Sequence, residues 1–446
     1  MIKTDTLKMF TKVKYVLNGY ILTLILTAVF FILLYPNIKT FPYSDDWSYV
    51  YYLANNIFDW KYILAQHNDH RIPFQKMIHL ILLNFSGGDF RILVALNVIC
   101  ISLISIIWIS IYRYFYKSSY LELSFPIILL SFGFNTVNWG FNFQFISSVF
   151  FLSLVILCWF NYLKYKNFSI TWSYLSLIFL SLCGGNGLII STFIGTYFIF
   201  SLNFHRSIFK IIKFNFFDRL FLFIWLVLII ILWFNFEGSS ATQKSSDNIF
   251  IYFNFFIHIV SSYFGVFLSS YPKLVITLAV LILSINLISI IFIYLNTKMI
   301  YDRLKIEMLL IVLFSTILLL LAITISRAAI QPWFPGLELH YGFLSIPLLF
   351  IFIIVIRRVI KEIYLLSLLL LFLITYTHNF VWRINNQLIE SKKIVKCHND
   401  ILSNKDSFLV AKECIKEFYW MEGIEYEIKL GEGIRILRQM PYFKNQ

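Results

Sequence analysis

Apolar residues run along this chain in blocks of roughly 20, the length that crosses a bilayer as a helix. The blocks fall at about 16–35, 90–112, 120–137, 144–163, 168–183, 188–204, 217–236, 273–295, 307–325, 342–356 and 363–378. Since a backbone in lipid must satisfy its own polar groups, the pattern predicts an all-α fold, a polytopic transmembrane helix bundle of about 11 spans. Two stretches interrupt the rhythm: a long polar loop at 38–89, and a tail at 379–446 whose apolar positions suit short amphipathic helices. The expected organisation is a transmembrane domain, 1–378, that includes 38–89 as its first extracytoplasmic loop. It is followed by a small, mainly helical extracytoplasmic subdomain, 379–446.

Charge adds orientation. Lys and Arg stay on the cytoplasmic side of a membrane. With the N-terminus inside, the turns assigned inside hold eighteen basic residues, against eight in the outer segments before residue 379. An odd number of spans then places the C-terminus outside. The segment 249–270 is apolar enough to span, but a span there would move the basic cluster 298–305 outside. It reads better as a helix lying in the outer interface or re-entering it. The N-terminal apolar run exceeds a signal-peptide core and reads as an uncleaved span.

Composition narrows the class. Of 446 residues, 59% are hydrophobic and 13% charged, against about 45–50% and about 25% in soluble domains. A soluble enzyme, a nucleic-acid-binding domain and a disordered chain are excluded, and the net charge of +14 reports topology rather than a nucleic-acid partner. The lipid bilayer is the main solvent, and the expected location is the cytoplasmic (inner) membrane. Cys100, Cys158 and Cys183 lie in spans as small apolar fillers, whereas Cys397 and Cys414 fall in the tail, where an oxidising compartment permits either a disulfide or two free thiols.

The candidate chemistry gathers in the outer loops. Just after the first span, FPYSDDWSYV carries Asp45 and Asp46. Adjacent carboxylates repel, which raises one pKa unless a cation neutralises them. One can take a proton from a hydroxyl while the other orients it or holds a divalent ion such as Mg or Mn; alternatively they are solvated caps of a helix starting at Trp47. Further on, QHNDHRI places His67, Asp69, His70 and Arg71 together. Asp46, Asp69 and His70 are candidate metal ligands and Arg71 suits phosphate, or the cluster is a polar knot that holds the loop. In NTVNWGFNFQ, Trp139, Asn142 and Gln144 can stack on and hydrogen-bond a sugar, or form an interfacial aromatic belt. Arg327 ends one span, and His340 and Tyr341 begin the next; Arg327 either holds a lipid phosphate or snorkels to head groups.

The order of these pieces resembles the GT-C superfamily of polytopic glycosyltransferases, which use polyprenyl-phosphate-linked sugars. The likeness lies in an inside N-terminus, a long first outer loop and an acidic pair after span one, here Asp45-Asp46. HNDHRI at 67–72, NWGFNFQF at 138–145 and GNGLI at 185–189 look like runs of a poorly characterised bacterial subgroup. Where those members carry an Arg-Tyr pair in a late loop, this chain has His340-Tyr341. The resemblance implies a membrane glycosyltransferase that moves a sugar from a polyprenyl-phosphate donor to a surface glycan, glycolipid or protein acceptor on the outer face. Transfer would be inverting, with an Asp base, most simply Asp45, and with Arg327 or Arg71 on the leaving phosphate. A divalent metal serves some members and not others. The competing expectation is a flippase or transporter of a lipid-linked glycan or other anion; a third is a structural partner in an envelope assembly.

Overall fold

The computed structural model describes residues 18–55, 58–67, 71–131, 138–165, 168–204, 216–234, 246–330, 339–419 and 423–445, without the side chains of 201–204, 339 and 340. Its regular secondary structure is helical. Helix α1 (Gly19–Leu33) starts where the Asn18 side chain accepts the Ile21 amide. The long loop then carries three short helices: Val50–Ala54, α2 (Trp60–Leu64), capped by Asp59, and α3 (Pro73–Phe85), entered through Pro73. Next come α4 (Arg91–Tyr112), α5 (Ser124–Leu129), α6 (Phe143–Lys164), α7 (Thr171–Ser181), α8 (Gly185–Phe204) and α9 (Phe216–Phe234). After them follow α10 (Ile249–Ser261), α11 (Pro272–Asn296), α12 (Ile300–Arg327), α13 (Leu339–Val359), α14 (Leu366–Leu402), α15 (Ser407–Phe418) and α16 (Ile424–Leu437).

Among the described residues, eight helices are long and apolar enough to cross a membrane, so the chain is a multi-pass membrane protein in class. Of the eleven expected spans, eight reach that length among the described residues. The stretches 120–137, 168–183 and 188–204 carry the shorter apolar helices Tyr120–Leu129, Thr171–Ser181 and Gly185–Phe200. Between α7 and α8 the chain turns at Gly184, whose φ of +95° suits glycine. At Gly187 a Cβ would sit 1.9 Å from the Leu180 carbonyl oxygen, so the two helices close on each other only over a glycine. The GGNG run is therefore the tight turn its sequence suggests. The doubtful segment 249–270 is not one continuous helix. α10 gives way to a 3-10 turn and breaks at Gly265, with φ +65°. It packs on α11, α12 and α13 through Phe255, Ile259 and Val260.

Both ends of the bundle are recognisable by their polar contacts. At one end, the buried Glu122 accepts from the Gly19 amide at 3.0 Å and from Arg113 at 2.9 and 3.0 Å. Glu362 takes the Tyr120 amide there, with Arg357 at 3.5 Å. These are basic turns that the charge pattern puts on one side. At the opposite end lie the 38–89 loop and the tail, and they share one hydrophobic core. Phe41, Tyr49, Val50, Leu80 and Leu83 from the loop pack with Ile394, Val410, Ile415, Phe418, Leu430 and Ile434 from the tail.

Helix α14 explains how. It has 37 residues, about 55 Å at 1.5 Å per residue, nearly twice a ~30 Å hydrocarbon layer. It therefore leaves the bundle as an unbroken rod and becomes the spine of the outer module. Helices α15 and α16 fold back from it over the loop. Thr40 meets His398 at 2.7 Å, Lys39 donates to the Glu417 carbonyl at 3.1 Å, and the Tyr442 amide donates to Gly87 at 2.8 Å. Cys397 on α14 and Cys414 on α15, with Cα atoms 5.9 Å apart, form a disulfide that resolves the open choice for this pair.

The disulfide closes a loop of 17 residues, which constrains the unfolded tail by about 3 kcal/mol. Replacing both cysteines by serine should leave the bundle inserted and make the tail's Lys and Arg sites cleave markedly faster in limited trypsin digestion of purified protein. Unchanged cleavage rates would mean the apolar core alone holds the tail.

Candidate functional site

The acidic pair sits in a 3-10 turn, Ser44–Tyr49, at the loop end of the bundle. Ser44 has φ +51°, a left-handed conformation uncommon outside glycine and of a kind that often marks functional turns. Successive side chains of a 3-10 turn diverge by about 120°, and the two carboxylates part accordingly. Asp46 points inward and is 4% exposed; the Asp45 side chain remains 22% exposed. Neither caps the turn, whose N-cap residue is Tyr43, so the capping alternative falls away.

The tail fixes this turn. Trp47, next to Asp46, donates to the Phe418 carbonyl at 3.2 Å and packs edge-on against the Phe418 ring. A methyl group on Gly433 would come within 2.8 Å of the Trp47 ring. Beneath the turn runs the segment 138–144. Trp139 donates its indole N–H to the Tyr43 carbonyl at 3.1 Å and stacks on Phe141; its own carbonyl takes the Asn97 amide at 3.1 Å. The ring of Trp139 thus braces the acidic turn. Gly140 lets the two segments close, because a Cβ there would stand 2.7 Å from Leu93 and 3.3 Å from Asp46 Oδ1. Burial, and then the Asp45 charge, push the Asp46 carboxyl well above the usual range, against the pull of the Tyr43, Phe141 and Gly140 backbone. Asp46 is therefore the carboxyl that burial makes harder to ionise, while Asp45 keeps contact with solvent.

His67 arrives from the next part of the loop. Its Nε2 is 3.6 Å from Asp45 Oδ1 and its ring lies 4.7 Å from that of Phe141. Asp69 and His70 lie outside the described residues, as does the His340 side chain. Among the described residues, no group of three or more His, Cys, Asp or Glu converges as a metal site. Arg71 donates to the Leu64 carbonyl at 2.8 Å, and the buried Lys76 ammonium to the Tyr62 and Ala65 carbonyls at 2.9 Å each. Two cations thus gather on the C-terminal carbonyls of α2, a favourable place for positive charge. Burial, and secondarily Arg71, bring the Lys76 ammonium down to about 8. Arg71, within the HNDHRI run, thus helps to hold the loop.

Asn142 and Gln144 are buried at 1 and 2% exposure where α6 begins. Tyr341 joins them from α13, its ring 5.7 Å from that of Phe145. Arg327 is the half-buried last residue of α12. Two sets of residues escape a reading by motif. On α3, Gln75 and His79 are fully buried, with Gln75 donating to Tyr49 Oη at 3.4 Å and the His79 ring 5.3 Å from that of Tyr49. On α14, Thr375, Asn379, Arg383 and Gln387 form a buried polar stripe. Asn379 accepts the Phe267 amide and donates to the Phe264 carbonyl, both at 3.0 Å, which satisfies backbone freed by the break at Gly265. Gln387 accepts from Asn138 at 2.9 Å and donates to the Asn37 carbonyl. Both sets repeat at i, i+4, a spacing visible in the sequence.

No family model matches this chain, and no curated protein or solved structure is significantly similar to it.

Two buried groups give opposite pH dependences. Burial lowers the His79 imidazole from 6.5 to about 3, so its stability contribution is complete above about pH 6.5 and is lost as pH falls, by about 2 kcal/mol at pH 5. The raised Asp46 carboxyl acts the other way: stability falls as pH rises above the ordinary carboxylate range. Thermal unfolding in detergent between pH 4.5 and 7.5 should therefore show a steeper rise of midpoint with pH in Asp46→Asn than in the native protein. In His79→Phe the rise should vanish or reverse. Parallel curves for all three proteins would mean that neither group is buried as described.

Proposed function

We propose that this protein is a membrane glycosyltransferase. It takes a sugar from a polyprenyl-phosphate donor at the outer face of the cytoplasmic membrane and passes it to a glycan, glycolipid or protein. The observation that carries this reading is the split acidic pair. One carboxylate is buried with its pKa raised, and its neighbour is half-buried beside an imidazole, at the end of an apolar bundle where a lipid-linked substrate and an aqueous acceptor can meet. The disulfide in the tail supports an outer, oxidising location for that end.

In this reading Asp45 accepts the proton of the acceptor hydroxyl as its oxygen attacks the anomeric carbon. The bond from that carbon to the lipid phosphate oxygen breaks on the opposite face, which inverts the centre, and the phosphate leaves with the bonding pair. Negative charge on that phosphate grows through the transition state, so a fixed cation lowers the barrier more than it tightens substrate binding. Arg327 and the buried Arg383 are the candidates, while Arg71 already binds the α2 carbonyls. The raised pKa of Asp46 limits negative charge beside the base. Should a divalent ion take part, Asp46 with Asp69 and His70 would hold it.

The buried stripe Thr375, Asn379 and Arg383 beside a broken helix favours a second reading, a carrier of lipid-linked anions, since such carriers place polar groups at broken helices. Asp45→Asn separates the two. In proteoliposomes with a polyprenyl-phosphate hexose and surface-glycan acceptor, transfer should fall by at least about 10²-fold, the usual scale for a general base, while the protein stays folded. Transfer that survives in both Asp45→Asn and Asp46→Asn would place the base elsewhere, and passage of lipid-linked glycan between leaflets with no transfer would favour the carrier.

A further inference from the structure

Between the acidic turn, α3 and the start of α6, five buried side chains keep polar atoms that meet no hydrogen-bond partner. They are Asp46 Oδ1, Gln75 Oε1, both ring nitrogens of His79, Asn142 Oδ1 and Gln144 Oε1. All five residues are at most 4% exposed. Contacts bring the segments that carry them together: Gln75 binds Tyr49, and the Tyr49 ring touches His79. The His79 ring lies 5.5 Å from Phe143, the residue between Asn142 and Gln144, and Asp46 lies against Gly140.

A buried acceptor left unmet costs about 1–3 kcal/mol, and folded proteins keep few of them. Five neighbouring side chains in that condition are a poor core and a good binding surface. Asn142 makes the point locally. It stands at the N-cap of α6, where Asn ordinarily gives its oxygen to a first-turn amide, yet here it makes no such bond.

The chemistry of the unmet atoms selects the ligand. Four of the six are carboxylate or amide oxygens, which need donors. A phosphate or carboxylate at neutral pH brings mainly acceptors and would set like poles against them. A ring bearing several hydroxyls brings a donor and an acceptor at each position, which also suits the amide N–H groups and the two imidazole nitrogens. The buried rings of Phe141 and Phe143 lie beside these groups. We propose that this patch is a sugar-ring subsite, in which Gln75, His79, Asn142 and Gln144 bind the hydroxyls. The assignment of that sugar to a transfer reaction rests on the glycosyltransferase reading; the binding itself does not.

The test uses the purified full chain in detergent, with binding followed by tryptophan fluorescence. The probes are the methyl glycosides of glucose, galactose, mannose and N-acetylglucosamine, with inorganic phosphate as the anion probe. At least one glycoside should bind, and excess phosphate should not displace it. Asn142→Leu and Gln144→Leu should each weaken that glycoside at least tenfold without lowering the ligand-free thermal midpoint, since each replaces an unmet polar group by an apolar one of similar size. Competition by a polyprenyl-phosphate hexose would identify the ring as the donor's; glycoside binding undisturbed by it would identify the acceptor's.

The subsite is overturned if none of the glycosides binds, if phosphate displaces them, if the leucine variants bind as the native protein does, or if those variants lose several degrees of stability or fail to fold. Failure of the transferase reading looks different: glycoside binding lost in Gln144→Leu, in a protein with no Asp45-dependent transfer, keeps the sugar site and rejects the reaction. Transfer unchanged in Gln144→Leu rejects the subsite alone.

Discussion

The structure hangs on the continuity of α14. A helix that merely crossed the membrane would stop soon after its apolar turns; this one runs on for 37 residues and carries a single buried face from the bundle into the outer module. Lower on that face, Asn379 holds the broken α10 segment in place. Higher up, Gln387 ties the end of α1 to the segment beneath the acidic turn, and at the top Ile394, Cys397 and Ile401 enter the module core. Rigid attachment is the consequence. The tail that α14 delivers presses Phe418 and Gly433 around Trp47, so the position of Asp45 and Asp46 is set by residues nearly 400 positions away in the chain.

That attachment makes an unfavourable local arrangement sustainable. Two adjacent carboxylates, one of them forced out of water by a left-handed serine, would relax in an isolated loop by turning both side chains to solvent. Here Trp47 is clamped on one side, and the Trp139 to Phe141 strip closes the other across Gly140. The cost of burial falls on one group, whose pKa it raises. Strain of this sort persists only where surrounding contacts over-determine it, and both clamps consist of ring packing and backbone hydrogen bonds, which salt screens little.

Much of the fold could be read from apolar runs, because a bilayer imposes one length and one periodicity on every crossing helix. The limits of that reading are physical as well. Stretches such as 168–183 and 188–204 are mainly apolar with scattered Ser and Thr, and the sharp glycine turn between them shortens the helices without changing their hydropathy. The loop and the tail looked like two appendages since each is amphipathic alone; only their mutual burial shows that each covers the other. In the site, Asp45, Asp46, His67, Trp139, Asn142 and Gln144 announced themselves as polar or aromatic clusters in sequence. Gln75, His79, Arg383 and Gln387 did not, being spaced four apart on helices whose other faces are apolar. A helical wheel places them on one stripe, but whether that stripe faces lipid, water or protein is decided by packing.

The two halves of the outer module also divide the labour between stability and exposure of polar groups. The side facing the tail is closed by aromatic and aliphatic contacts and a disulfide, with its hydrogen-bonding groups largely paired. The side facing α6 keeps unmet acceptors on Gln75, Asn142 and Gln144 and a neutral imidazole on His79. A protein that tolerates several such groups gives up stability there, and it can do so because the tail side supplies it. The unmet groups all lie within one or two side chains of the acidic turn. Tyr49 of the acidic turn meets Gln75 and His79, and Asp46 of the same turn is one of the unmet groups, so a ligand that satisfied them would lie beside that turn.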